Sequence, residues 1–150
     1  DRKQTWQRHI QTKRKELDLK FKKFYWLIGR NSKLSLANKL LVYKVILKPV
    51  WTYGIQLWGS AAESNIEVIQ KFQNKALRAI VNAPWYVRNE DIHKDLNVKT
   101  VREEITFYSK NYETRLCEHP NLLAVNLLDN SNTLRRLSRF KPLDLSVRFS

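Results

Sequence analysis

The sequence has few of the residues that build disulfide-bonded, zinc-bound or β-sandwich proteins. Its 150 residues include one cysteine, Cys117, with three glycines and four prolines. A single cysteine excludes an intramolecular disulfide and a zinc site made of several cysteines. So little glycine and proline argues against a β-sandwich and against a glycine-rich phosphate loop. Lys44 and Lys48 interrupt the most apolar stretch, so no run approaches the ~18–20 apolar residues of a membrane span.

The chain nevertheless has enough apolar material to form a core. It is 43% hydrophobic and 11% aromatic, with five tryptophans. This composition argues against the chain being a disordered basic tail. The charged start at residues 1–4 does not resemble a signal peptide, and the missing initial Met indicates a fragment or a processed piece. We expect a soluble, mostly helical domain from a reducing compartment.

Positive charge is the strongest feature of the composition, and it is unevenly distributed. The net charge is +14. Residues 1–48 carry 14 basic and 3 acidic groups, residues 49–133 carry 9 and 10, and residues 134–150 carry 5 and 1. A basic front and a basic tail around a neutral middle indicate a surface for a polyanion, with nucleic acid favoured over an acidic membrane or protein.

The spacing of apolar residues predicts an all-α fold, a compact bundle with a basic C-terminal tail. Helices are expected over about residues 4–29, 36–53, 64–82, 89–96 and 121–128, with another that starts after Thr100 and has its apolar stripe running to Leu116. Expected boundary signals are a stop at Gly29, a cap at Ser35, capping boxes at Ser64–Glu67 and Thr100–Glu103, and Pro120 as the first residue of the last helix. Pro49 should bend or end the second helix.

No catalytic or metal-binding group is predicted. His9, His93 and His119 are far apart in the sequence and are read as surface or capping residues. Asp91 and Asp95 share a helical face, but nearby cations favour ordinary surface ion pairs over a metal site. Cys117 is expected to be a buried, inert cysteine.

The first helix carries the clearest candidate for a binding surface. Lys13, Lys20 and Lys23 recur at helical spacing on one side, and acidic partners for them are mostly absent, so contact with phosphates is favoured over a solvated, self-repelling face. The aromatic clusters at 24–26 and 51–58 are expected in the core. Trp85 and Tyr86, after Pro84, are the pair expected at the surface.

Three runs of sequence resemble non-LTR retrotransposon reverse transcriptases, especially those of the jockey clade. They are the segment 34–59, ending in Trp-Gly, the segment 64–78, and the Asn-Ala-Pro-Trp-Tyr-Val block at 82–87. The terminal Arg-Phe-Lys-Pro-Leu-Asp-Leu at 139–145 shares this likeness, and so does the opening at 1–10. The resemblance covers essentially the whole chain.

The resemblance implies where the chain lies in a reverse transcriptase and what it does there. It would be the thumb and the region after it, with a basic helical thumb segment at 1–58, a helical platform at 59–133 and a basic tail at 134–150. It would grip the template–primer RNA–DNA duplex during target-primed reverse transcription, next to the upstream polymerase core of the same polyprotein. The tail either holds template RNA or target DNA or is disordered.

The resemblance also fixes expectations about sites, cofactors and location. Nucleic-acid contacts are expected at Lys13, Lys20, Lys23, Arg30, Lys33, Arg135, Arg136 and Arg139. The family's catalytic aspartates lie upstream, so no cofactor is expected in this chain, and Mg²⁺ belongs to that absent polymerase site. RNA and DNA are the expected partners, without a membrane. The expected location is the nucleus, with cytoplasmic passage as a ribonucleoprotein.

Two other interpretations stay open at this point. The chain could be a stand-alone nucleic-acid-binding or adaptor module derived from such an element, or an interaction fragment whose basic face meets an acidic protein.

Because clustered carboxylates are absent apart from caps and ion pairs, we expect the 150-residue chain alone to show no polymerase or nuclease activity with any divalent metal. Nucleotide incorporation and nuclease assays with Mg²⁺ and Mn²⁺ check this. Metal-dependent incorporation by the purified chain would refute it.

Overall fold

Residues 6–125 are described by a computed structural model. These residues form helices joined by short connections, and no strand occurs among them, which confirms the all-α prediction. The tail at 134–150 lies outside the described residues.

Eight α-helices and one π-helical segment follow one another along this part of the chain. They are α1 (Gln7–Ile28), α2 (Leu36–Val42), the π segment (Tyr43–Leu47), α3 (Lys48–Thr52), α4 (Ile55–Trp58), α5 (Glu63–Val81), α6 (Asn89–Asp95), α7 (Val101–Cys117) and α8 (Leu122–Val125). No described helix is both long and apolar enough to cross a bilayer.

Gly29 ends α1 as predicted, but for a steric reason. Its backbone is extended, with φ −76° and ψ −179°, and not in the left-handed conformation of a glycine stop. A Cβ at this position would lie 2.7 Å from the carbonyl oxygen of Tyr25 and 2.9 Å from its ring. The position therefore requires glycine because the Tyr25 side chain closes over the helix end.

Pro49 does not end the second predicted helix. The chain passes from α2 through the π segment into α3, which contains Pro49 and continues to Thr52. A proline removes one i→i−4 hydrogen bond, and here Val45, whose carbonyl would accept that bond, lies in the wider π segment just before Pro49.

The helix caps agree with prediction at Ser35 and Thr100 and differ elsewhere. The Thr100–Glu103 capping box is present with both of its bonds. The predicted box at Ser64–Glu67 is wrong: α5 begins at Glu63 without a side-chain cap, and Glu67 contacts Arg102 instead, at 3.0 Å. The prediction for Pro120 is also wrong, because α8 begins at Leu122 and Asn121 Oδ1 accepts the Leu123 N–H at 2.9 Å.

The core is formed by α1, the π segment, α3, α4, α5, α6 and α7, with α4 contributing the buried Ile55 and Trp58. All six residues predicted on the buried face of α5 are buried: Ile66, Ile69, Phe72, Ala76, Leu77 and Ile80. Leu47 and Ile105 are buried as predicted, whereas Leu40 is only half-buried. Buried residues from both sides of residue 58 belong to one cluster, and the division of the chain at that residue stays a prediction.

Several burial predictions are wrong because the helices turn these residues outward. Tyr25, Trp26 and Tyr53 were expected in the core but are exposed, with Trp26 at 71%. Cys117 is exposed at the end of α7. Their local sequence resembles a core, but within residues 6–125 these side chains remain exposed.

Replacing Leu77 with Ala should lower the free energy of unfolding by about 2–5 kcal/mol, because the side chain is fully buried and its removal leaves a cavity. Denaturant unfolding measures this change. Leu57→Ala, at an exposed leucine, serves as the control and should cost within about 0.5 kcal/mol. A loss below half a kcal/mol for Leu77→Ala would show that this packing is wrong.

Candidate nucleic-acid interface

Helix α1 has a strongly basic sequence whose orientation is fixed by its buried residues. It contains seven lysines and arginines and two acidic residues, Glu16 and Asp18. Ile10, Leu17, Phe21 and Ile28 are buried, so the opposite side of the helix faces solvent. Five of the seven cations consequently fall into two groups, according to their angle from this buried stripe.

Lys13 and Lys20 lie beside the buried stripe and share one carboxylate. Their Nζ atoms are each 3.4 Å from an oxygen of Glu16, and Arg14 contacts Asp18 at 3.1 Å. The prediction that this stripe mostly lacks acidic partners is therefore wrong for both lysines. Lys13 also lies 5.8 Å from the ring centre of Tyr53. We call Lys13 and Lys20 the inner lysines.

Arg8, Lys15 and Lys22 form a second row on the solvent side of α1, which we call the outer row. All three are exposed. Within residues 6–125, no carboxylate lies within ion-pairing distance of any of them. Successive members are seven residues apart, which is about 10.5 Å along the helix axis. This row is not among the predicted contacts, although the spacing of seven residues between its members is visible in the sequence.

The other predicted contacts lie near the end of α1. Lys23 is exposed on the helix, and Arg30 and Lys33 are exposed in the connection to α2. Buried Lys39 donates a hydrogen bond to the carbonyl oxygen of Gly29 at 3.0 Å. Lys39 thereby supplies a cation at the negative end of α1 and holds the connection against the helix. Arg135, Arg136 and Arg139 lie outside the described residues.

The charged form of His9 is disfavoured in the folded chain. Its partial burial, and then the nearby Lys13 cation, lower the pKa of His9 from its ordinary value. The basic character of the helix therefore comes mainly from lysine and arginine.

A second surface lies in the turn after α5. Asn82 ends that helix in a left-handed conformation, with φ 51°. Arg78 stabilises the turn through its guanidinium group. This group donates hydrogen bonds to the carbonyl oxygens of Val87 at 2.7 Å and Pro84 at 2.5 Å, and to Asn89 Oδ1 at 3.1 Å. Sequence reasoning missed this role of Arg78 because its partners are mainly backbone carbonyls.

Trp85 and Tyr86 project from this fastened turn. Their exposed fractions are 90% and 70%, which confirms the expectation that they form a surface pair. The two rings meet edge to face, with centres 6.0 Å apart. They line an open cleft of about 1000 Å³ together with Arg78, Ala83, Val87, Arg88, Asn89 and Glu90.

A polar network attaches α6 and the start of α7 to α5. Fully buried Gln73 donates to the carbonyl oxygen of Lys99 at 2.8 Å, and Gln70 accepts the N–H of Val101 at 2.8 Å. His93 lies with Nδ1 2.8 Å from the carbonyl oxygen of Val98 and Nε2 3.0 Å from Asn74 Oδ1. The interpretation of His93 as a surface or capping residue is therefore wrong: it is a buried structural histidine.

Among the residues that the structure describes, no group of three or more His, Cys, Asp or Glu side chains is placed to hold a metal ion. Asp91 and Asp95 are both exposed on α6.

Comparison with known proteins identifies what the chain is similar to. It is 47% identical over 148 residues to the probable RNA-directed DNA polymerase from transposon X-element of Drosophila melanogaster, which covers 99% of the chain and 16% of that protein. It is 40% identical to the probable RNA-directed DNA polymerase from transposon BS of the same species, over 93% of the chain and 15% of that protein. It is also 40% identical to the RNA-directed DNA polymerase from mobile element jockey of that species, over 97% of the chain and 17% of that protein.

The chain therefore spans about a sixth of the length of these relatives. No protein-family model matches it, and no solved structure does. The resemblance to jockey-clade reverse transcriptases is confirmed by identities of 40–47% over nearly the whole chain. The chain is, by sequence, a homologue of one region of RNA-directed DNA polymerases from Drosophila transposons, jockey among them.

Proposed function

We propose that this chain is the thumb and post-thumb region of a non-LTR retrotransposon reverse transcriptase, and that it grips the template–primer RNA–DNA duplex during target-primed reverse transcription. Its partners are then RNA, DNA and the upstream polymerase core of the same polyprotein. It works in the nucleus, after passage through the cytoplasm as a ribonucleoprotein. The homology to transposon RNA-directed DNA polymerases supports this proposal.

The observation that carries the proposal is the cationic surface of α1. The helix has a net charge of +5 from its side chains, and its outer row is exposed and without carboxylate partners among the described residues. Its apolar side is packed into the core, so the cations are presented on a rigid element. Such a surface suits a phosphate backbone, which is gripped without reading base edges.

The exposed residues at the end of α1 extend the same surface. Lys23, Arg30 and Lys33 follow the outer row toward the connection with α2. The inner lysines contribute less free charge, because Glu16 offsets part of it. We therefore assign the main phosphate contacts to the outer row together with Lys23, and weaker ones to Lys13 and Lys20.

A stand-alone nucleic-acid-binding or adaptor module, derived from such an element, would use the same surface without a polymerase. Both functions require duplex binding by α1. They differ in whether a palm with catalytic aspartates precedes Asp1 in the full-length product, which sequencing of the parent transcript decides.

Charge-removing variants test the grip directly. Changing Arg8, Lys15 and Lys22 to Gln should weaken binding to an RNA–DNA hybrid equally for every sequence and lower the slope of log K against log[salt] by up to about 3. Changing Lys13, Lys20 and Lys23 to Gln should lower the slope by less, since Glu16 already offsets part of the lysine charge. Salt titrations of hybrid binding measure both slopes.

The matched control removes three charges from α6 and α7. Lys94, Lys110 and Arg115 are all exposed, and their replacement by Gln should leave the slope nearly unchanged. If neither α1 variant lowers the slope while thermal unfolding is normal, the grip lies elsewhere, and Arg135, Arg136 and Arg139 become the next residues to test. If the control lowers it as much, net charge and not the α1 surface governs binding.

Glu16→Gln provides a test in the opposite direction. Removing the carboxylate shared by the inner lysines should strengthen hybrid binding and steepen its salt dependence, while costing less than about 1 kcal/mol of folding stability, because these ion pairs are partly exposed. The same salt titration and a thermal melt measure both effects. Unchanged or weaker hybrid binding would argue against phosphate contact near Lys13 and Lys20.

A further inference from the structure

The turn after α5 exposes aromatic surface that no described element covers. Trp85 is 90% exposed and Tyr86 70%. The cleft that they line is about half polar in composition, with Arg78, Arg88, Asn89 and Glu90 among its residues. A protein interface is usually centred on a contiguous, well-packed apolar area, and this turn offers two rings in edge-to-face contact among polar groups.

The turn is also held rigidly. Arg78 makes three hydrogen bonds to it, and Asn82 sets its direction in the left-handed conformation. Aromatic side chains lose few rotamers when they bind. A ligand that stacks on these rings therefore meets a surface that is already ordered.

Charge favours an anionic ligand in the cleft. Arg78 donates to neutral oxygens, and within residues 6–125 no carboxylate lies within ion-pairing distance of it. Arg88 is exposed beside the rings, so Arg78 and Arg88 outweigh Glu90 by one positive charge. A planar ring that carries a phosphate matches this combination, because the base stacks on an aromatic face and the phosphate lies near a guanidinium.

We propose that Trp85 and Tyr86 form a stacking site for an unpaired nucleotide of single-stranded RNA or DNA, with Arg88 and Arg78 near its phosphate. The site rests on the proposed function, since it assumes a nucleic-acid partner. It binds where strands are not paired, whereas α1 binds duplex phosphates. A duplex offers only its end bases for stacking, so the two surfaces select different forms of nucleic acid.

Single-strand binding by the 150-residue chain tests the site. The probes are labelled ten-nucleotide oligo(U) and oligo(dT), compared with a blunt RNA–DNA hybrid of the same length, by fluorescence anisotropy. Trp85→Ala and Tyr86→Ala should each weaken single-strand binding by roughly 5- to 100-fold, the factor that corresponds to loss of one base–aromatic stack. Hybrid affinity and the salt slope should not change, because no phosphate contact is removed.

Two further variants make the result specific. Trp85→Phe should retain most of the single-strand affinity, and quenching of tryptophan fluorescence by oligo(U) should be smaller in it than in the wild type. Phe107→Ala, which removes an exposed ring from α7, should leave single-strand affinity unchanged. If Trp85→Ala weakens binding to only one of the two oligonucleotides, the result supports the site and shows whether it prefers RNA or DNA.

Unchanged single-strand affinity in Trp85→Ala with normal thermal unfolding would overturn the site and leave the rings to a protein partner. An equal loss of single-strand and hybrid binding would overturn its selectivity for unpaired nucleotides. These failures are separate from failure of the α1 grip. That grip fails if the outer-row variant binds the hybrid with an unchanged salt slope, whatever Trp85→Ala does.

Discussion

The packing of α1 against α5 fixes the orientation of the basic helix. At its centre, the rings of Phe21 and Phe72 meet edge to face with centres 6.0 Å apart. Arg14 lies over Phe72 at 5.1 Å and Lys75 over Phe21 at 5.3 Å, while Asp18 contacts both cations. This arrangement determines the rotation of α1 about its axis, and with it which cations face solvent.

A helix with so many like charges is stable here because its apolar stripe is buried and some of its cations are used in packing. Arg14 and Lys75 cover aromatic rings with their side chains while Asp18 offsets their charge, which is the usual way in which long basic side chains line an apolar seam. The outer row takes no part in this packing. Its charge is therefore free for an external anion, and its substitution should not disturb the fold.

Helix α5 connects the two candidate binding surfaces. Its 19 residues give a rod of about 28 Å, with α1 packed along it and the Trp85–Tyr86 turn directly after its last residue. Gln70, Gln73 and Asn74 on the same helix bind α6 and the start of α7 through partly buried hydrogen bonds. A polar network of this kind favours one arrangement of the helices, because each polar group left without a hydrogen-bond partner would cost free energy. The turn and the basic helix are thus parts of one packed unit, and the proposed duplex grip and nucleotide site are held in a fixed relation.

The sequence by itself determined the helical class, the approximate helix bounds, the buried face of α5, the capping box at Thr100 and the relationship to transposon reverse transcriptases. Each of these depends on neighbours within a few positions, or on a long run of residues shared with relatives. It also indicated that Trp85 and Tyr86 are exposed, since Pro84 breaks the helix before them.

Only the tertiary structure decided how the individual polar and aromatic residues are used. The pairing of both inner lysines with Glu16, the burial of His93 and the clamp of Arg78 on the turn depend on side-chain geometry and on contacts between separate elements. Trp26 and Tyr53 have the local pattern of core residues, yet both are largely exposed among the described residues. Hydrophobic periodicity specifies which face of a helix is apolar, but burial requires a partner on that face, and the partner is set by the packing of the whole chain.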